Sequence, residues 1–297
     1  MEAASVPAAQ TATRRRTAKR RTPDKNRTPW WMWIAVAAIV VFCLFPFYWL
    51  ISISLKTGND LQNSSLIPPH PTLSNYKAIF KNPDFTASLR NSAIVALCTT
   101  ALALVVGSFC AYALARLKLP AKALILAIVL SISTFPQIAI AAPLFKLWSD
   151  LGIFNTYIGL IIPYLTFALP LSIYILVSFF REIPKDLEEA ALVDGATHFQ
   201  AFRKVVVPLA APGLATAGIL TFIGAWNELL LAVTLTSSSR ARTVPAAILF
   251  FTGASEHEVP YGSIAAASIV ISVPLILLVL FFQKRIVAGL TAGAVKG

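Results

Sequence analysis

Residues 181–207 read REIPKDLEEAALVDGATHFQAFRKVVV, and Pro208 follows. A charged segment with its own helical punctuation stands here between long apolar runs. Pro184 suits the first turn of a helix, and Asp186, Glu188 and Glu189 put negative charge where the helix dipole favours it. Leu187, Ala190 and Ala191 recur at helical spacing and give a short face of small residues. Gly195 is placed to end that helix, because glycine adopts a left-handed cap without steric penalty. Thr197, with Gln200 three residues later, has the form of a capping box that starts a second helix. Arg203 and Lys204 fall in its last turn, again matching the dipole. Two short helices at an angle, presented at a membrane surface, make a docking knob for a partner protein.

Composition places the rest of the chain in a bilayer. Hydrophobic residues make up 57% of the 297 and charged residues only 13%, with a mean hydropathy of +0.73. That leaves too little polar surface to solvate a soluble domain of this size. A span needs roughly 20 mostly apolar residues, and six stretches qualify: 33–53, 92–114, 123–144, 157–179, 209–231 and 263–282. The runs are continuous and rich in Ala, Leu and Ile instead of alternating, which indicates helices and not barrel strands. The expected fold is therefore an all-α membrane protein of six transmembrane helices. A basic arm over 1–30 precedes a membrane domain over 31–287, the 181–208 segment interrupts that domain, and a short tail over 288–297 ends the chain.

The 25 lysines and arginines set the orientation. With the amino terminus cytoplasmic, only Lys56, Lys77, Lys81, Arg90, Lys146, Arg240 and Arg242 fall outside. The bias has the sign expected for both termini inside, and the arm carries much of it. That arm, TRRRTAKRRTPDKNRTPWW, reads as disordered positive-inside charge followed by an aromatic belt at Trp30, Trp31 and Trp33. No basic-aromatic fold accompanies it, so nucleic acid is not an expected partner. It is long and its apolar run reaches spanning length, which argues for an uncleaved anchor over a signal peptide. The net charge of +12 reflects topology and anionic lipid.

Several chemistries are excluded. Cys43, Cys98 and Cys110 lie inside apolar spans with no metal-ligand spacing, and His70, His198 and His257 sit in separate polar segments. No phosphate-binding glycine loop, His-Glu-x-x-His or Gly-x-Ser-x-Gly pattern occurs. The chain is not expected to be an enzyme, to bind a metal, or to hydrolyse nucleotide itself. Within the spans, Trp226-Asn227-Glu228 stands out, because a carboxylate in hydrocarbon costs several kcal/mol unless it meets a partner or a wet cavity. Glu228 is either a site residue or a hydrogen-bonded structural group, and Trp226 either stacks on a ligand ring or packs. Gly213, Gly218 and Gly224 permit close helix approach in the same segment. Phe135-Pro136-Gln137 adds a kink and a polar group to the third span. Pro163 and Pro170 make the fourth a candidate for a bent, moving helix.

Outside the membrane, Pro68, Pro69 and Pro71 stiffen an extended entry, and Tyr76, Ile79 and Phe80 suggest one short packed helix. In the last outer loop, over 236–262, Phe250 and Phe251 are too apolar for a free loop. They either pack on the bundle or meet a binding protein.

The spacing Glu189-Ala190-Ala191, then Gly195, then Val205-Val206-Val207-Pro208 resembles the EAA signature of permease subunits of ABC importers. Valines stand where that pattern has isoleucine and leucine. The end of the chain, QKRIVAGLTAGAVKG over 283–297, is similar to the tail of the maltose-transporter G-type permease family, which serves importers of maltose, trehalose and related sugars. The resemblance implies a type I importer permease in a bacterial cell membrane. Its partners would be a second homologous permease, two cytoplasmic ATPase subunits that hold ATP and Mg, and an extracytoplasmic sugar-binding protein. It implies that Glu189, Ala190, Ala191, Asp194, Gly195 and Pro208 couple to the ATPases. Gln137, Trp226, Asn227 and Glu228 would lie on the translocation path. An extended tail with Gly289, Gly293 and Lys296 would touch the ATPase pair. The rival reading is a proton-coupled secondary transporter using Glu228. It gives no reason for an ordered 181–208 segment, and no pair of broken spans in inverted repeats is evident.

Overall fold

In hydrocarbon every backbone N–H and C=O must be paired within the chain, and this sequence pairs them in helices. The computed structural model describes residues 29–61, 63, 65–252 and 260–292, with side chains as far as Gln283 in the last helix. Among the described residues there is no strand. The elements are α1 (Trp30–Ser54), α2 (Ser74–Lys81), α3 (Pro83–Arg116), α4 (Lys122–Ser133), α5 (Gln137–Asp150) and α6 (Tyr157–Glu182). They continue as α7 (Lys185–Val193), α8 (His198–Ala201), a π-helical turn (Phe202–Val206), α9 (Val207–Leu209) and α10 (Ala211–Asn227). The last are α11 (Leu230–Leu235), α12 (Val244–Ile248) and α13 (Tyr261–Ala292).

The chain divides into two compact units, residues 1–47 and 48–297. In the first, the described part is the apolar start of α1, where Trp30, Trp31 and Trp33 are exposed. The basic arm over 1–28 lies outside the described residues. The second unit holds everything else.

Among the described residues four helices are long and apolar enough to cross a membrane: Trp30–Ser54, Pro83–Arg116, Tyr157–Glu182 and Tyr261–Gln283. Two helix pairs, Lys122–Ser133 with Gln137–Asp150 and His198–Leu209 with Ala211–Asn227, bend by 79° and 75°. The chain has six spans if each bent pair counts as one. The third expected span is thus not one straight helix. Pro136 has no N–H to donate and pushes Phe135 out of the α region, so the helix breaks there and restarts at Gln137. The second bend falls at Ala210, between Pro208 and Pro212. In contrast, α6 runs as one uninterrupted helix through Pro163 and Pro170.

The centre of the second unit is α3, α6 and α10. Small residues let them approach: Gly107 meets the Ser172 Cβ at 3.2 Å from where its own Cβ would sit, and Gly218 meets Leu104 at 3.1 Å. A Cβ on Gly213 would strike the Phe179 ring. Ser172 and Thr221 share a buried hydrogen bond of 3.0 Å between α6 and α10. At one end of the bundle Ala111, Leu176, Phe180, Val206 and Ala217 form the core; toward the other it is Val95, Leu160, Tyr164, Trp226 and Leu231. At its 34 residues, α3 is about 50 Å long, more than the hydrocarbon thickness, so it projects beyond the bilayer.

That projection carries the outer packing. Asn82 caps α3 by accepting from Asp84 N at 2.9 Å. The expected short helix is α2, whose Ile79 is buried against Phe85, Val244 and Ala266. Phe251 meets Phe85 edge-on at 5.9 Å, and the Arg242 guanidinium lies 4.0 Å over the Phe250 ring. Asn75 donates to Ser54 O and Lys56 O, filling carbonyls left open at the end of α1. Lys56, counted among the outer basic residues, is buried, with Nζ donating to Asn63 O at 3.2 Å and Ser65 O at 2.5 Å.

Candidate functional site: the 181–208 segment and the polar groups of the bundle

The 181–208 segment folds as its residue types dictate. Pro184 precedes α7, and Asp186 and Glu188 occupy the first turn. Gly195 has φ +86°, with Gly195 N donating to Leu192 O at 3.1 Å and Ala196 N to Ala191 O at 2.9 Å. This is a Schellman cap, which a left-handed glycine closes without strain. Thr197 N donates to Gln200 Oε1 at 2.8 Å, and Gln200 N donates to Thr197 Oγ1 at 3.3 Å. The capping box is therefore formed as expected.

The segment is fixed to the bundle at two points that the sequence did not reveal. The first is Phe202, buried in the π-helical turn among Tyr112 at 4.9 Å, Phe109 at 5.3 Å and Phe180 at 6.3 Å between ring centroids. The second is Glu188. Its carboxylate is buried, accepts the Tyr112 hydroxyl and lies 3.4 Å from Arg116 Nε. Arg116 Nη2 also donates to Ile183 O at 2.8 Å. In the sequence Glu188 counted only as one of three acidic residues at a helix start. The signal was its register: Ala191 and Leu192, three and four residues on, are its half-buried neighbours on the same face.

The opposite face is open. Glu189, Ala190, Asp194 and Gly195 are exposed, and so is Pro208 at the turn into α10; Ala191 is half-buried. Leu187, Val193 and Phe199 stand out among them with exposures of 45%, 88% and 58%. A rigidly capped helix pair that leaves these apolar side chains uncovered is an interaction surface.

The four candidate path residues do not converge. Gln137 lines a cavity of about 370 Å³ at the break after α4, together with Ser131, Ser133, Phe135, Thr166 and Phe167. The three hydroxyls each donate to a carbonyl three residues back, leaving their lone pairs as acceptors toward the cavity. Trp226 is instead buried, stacked on Phe222 at 5.6 Å, with its indole N–H donating to Ile271 O at 3.2 Å. It packs the bundle and has no free face for a sugar ring. Asn227 is exposed at the end of α10.

Glu228 corrects the expectation that it lies within the fifth span. The helix stops at Asn227, and Glu228 is extended, with φ −65° and ψ 128°. Its Oε1 accepts from Leu231 N at 2.7 Å and its Oε2 from Ala232 N at 3.0 Å. The carboxylate thus answers two of the N–H groups left open at the start of α11. Nearby, Asn91 donates to Ser239 O and Arg242 O, Tyr157 donates to Asn91 Oδ1, and Val244 N donates to Ser92 Oγ. These bonds strap the last outer loop onto α3 and α6, where Phe251 packs against Phe85 and Phe250 stays exposed. At the other terminus α13 continues to Ala292, so Gly289 is helical and not extended as expected. Gly293 and Lys296 lie outside the described residues.

A helical bundle with a capped pair of short helices between two of its spans can be compared with known proteins. Residues 103–291 match the family model of the binding-protein-dependent transport system inner membrane component. The chain belongs to that family and is a permease component of an ABC transporter, not a catalytic subunit. It is 54% identical to the trehalose transport system permease protein SugB of Mycobacterium tuberculosis, over 89% of this chain and 97% of that protein. To the trehalose/maltose transport system permease protein MalG of Thermococcus litoralis it is 42% identical, over 89% and 95% of the two chains. To the sulfoquinovosyl glycerol transport system permease protein SmoH of Agrobacterium fabrum it is 44% identical, over 89% and 93%. The fold is similar to a chain of a bacterial ABC transporter involved in import of the polysaccharide alginate, with a TM-score of 0.74 at 22% identity, covering 89% of this chain and 99% of that one.

Proposed function

We propose that this chain is the membrane subunit of an ATP-driven importer of a sugar, a disaccharide of the trehalose or maltose type, handed over by an extracytoplasmic binding protein. The observation that carries the reading is the open face of Leu187, Glu189, Ala190, Val193, Asp194 and Gly195 on a helix pair held from behind by Glu188 and Phe202. Such a surface fits a cleft in one of two cytoplasmic ATPase subunits, which hold ATP and Mg, and leaves the other to the second permease. A second homologous permease completes the pore, and membrane lipids cover the rest.

The positive-inside bias supports a cytoplasmic side for both termini. ATP binding draws the ATPases together, α7 and α8 ride with them, and the spans turn outward to receive the sugar; hydrolysis reverses the motion. Gln137 and Asn227 are the path residues of the four that the sequence suggested. Glu228 works as a helix cap and not as a proton carrier, which removes the support for a proton-coupled transporter. The supporting relatives are permeases of sugar transport systems by name. Reconstituting the chain with the second permease, the ATPase and the binding protein should give ATPase activity that trehalose or maltose stimulates through the binding protein. ATPase activity indifferent to the binding protein and both sugars would refute it.

A further inference from the structure

Two acidic residues stand side by side at the start of α7 and face opposite ways. Glu189 is exposed, whereas Glu188 is buried against α3. The Glu188 carboxylate takes the Tyr112 hydroxyl and faces Arg116 Nε at 3.4 Å, while Arg116 Nη2 holds Ile183 O at 2.8 Å, just ahead of α7. Side chains of both ion partners are nearly buried, at 11% and 6% exposure. Breaking such a pair is far costlier than bending an exposed one, because either charge left alone stays desolvated. Tyr112 in turn packs on Phe202, so one short stretch of α3 grips both halves of the 181–208 segment.

We infer that Glu188 is the positioning residue through which movement of α7 is passed to the second span, α3, and that Glu189 is left for the ATPase. The inference rests on the docking role proposed above but is separable from it: a partner can bind the outer face whether or not the inner face is clamped. With the clamp intact, α7 and the end of α3 move as one body. Without it, α7 follows the ATPase while α3 lags.

The test uses the assembled complex with the chain's own cysteines replaced by serine and nitroxide labels on cysteines at Lys185 and Leu117. Lys185 opens α7 and Leu117 closes α3, and both are exposed. Dipolar EPR distances are recorded without nucleotide and with ATP trapped by vanadate. Co-purification of the ATPase with the unaltered chain comes first, and its failure would sink the docking role and leave the clamp to be judged alone. In the unaltered chain the label distance should be the same in both states. In Glu188→Gln it should shift by several ångströms on adding ATP, and in Tyr112→Phe, which removes one hydroxyl only, by less. ATPase recovery should remain normal in both variants. A purely structural role would widen the distribution equally in both states, with no ATP-dependent shift. A shift in the unaltered chain, or none in either variant, overturns the inference.

Discussion

Replacing Glu228 separates a helix cap from a transport carboxylate. Its two oxygens accept from Leu231 N at 2.7 Å and Ala232 N at 3.0 Å in a buried setting. Each hydrogen bond to a charged group is worth about 1.5–3 kcal/mol. Glu228→Ala leaves both N–H groups buried without acceptors and should cost about 3–6 kcal/mol. Glu228→Gln keeps one carbonyl acceptor but turns an amide NH2 toward the other N–H, so roughly half that loss is expected. Unfolding of the detergent-purified complex, followed by tryptophan fluorescence, reads the stability. Uptake per folded complex should stay close to the unaltered value in the Gln variant. Unchanged stability in Glu228→Ala together with lost uptake would refute the cap and put the carboxylate back on the path.

Gly195→Asp should leave expression and membrane insertion near normal. The space around a Cβ there is empty within the chain, and the left-handed backbone costs about 1–2 kcal/mol. Transport and recovery of the ATPase on the tagged permease should both be lost; normal recovery with normal uptake would count against docking at this turn. Gly213→Val forces a branched side chain into the Phe179 ring. It should destabilise the complex by about 1–3 kcal/mol, seen as lower thermal stability in detergent, and an unchanged melting curve would show that α6 and α10 have room to part. Deleting the last nine residues should lower sugar-stimulated ATPase activity without changing topology as judged by cysteine accessibility; full stimulation would mean that the tail makes no such contact.

Legibility in the sequence followed the range of each interaction. The Gly195 cap, the Thr197–Gln200 box and α2 rest on neighbours a few residues apart, and local residue types name them. The breaks of the third and fifth spans were less clear, because proline marks several places and only packing decides which one yields. Pro136 breaks a helix that has no buried residue on its amino side. Pro163 and Pro170, both buried, do not. The burial of Glu188 and Lys56 was not legible for a related cause: their partners, Arg116 and Tyr112 for one, Asn63 and Ser65 for the other, are set by the fold and not by spacing. Trp226 reads from the sequence as either a ligand platform or a packing residue, because an aromatic residue beside a carboxylate is ambiguous until its N–H is seen to be spent on Ile271 O.

What drives uptake tests the central claim most directly. Proteoliposomes holding the assembled complex are loaded with an ATP-regenerating system that clamps ATP, and the proton gradient across them is varied with a protonophore and imposed pH jumps. Uptake of trehalose or maltose should follow ATP, stop when ATP is withdrawn, and be indifferent to the gradient in both the unaltered chain and Glu228→Gln. Uptake that tracks the gradient with ATP held constant, and vanishes in Glu228→Gln, would contradict the importer reading and establish the proton-coupled one.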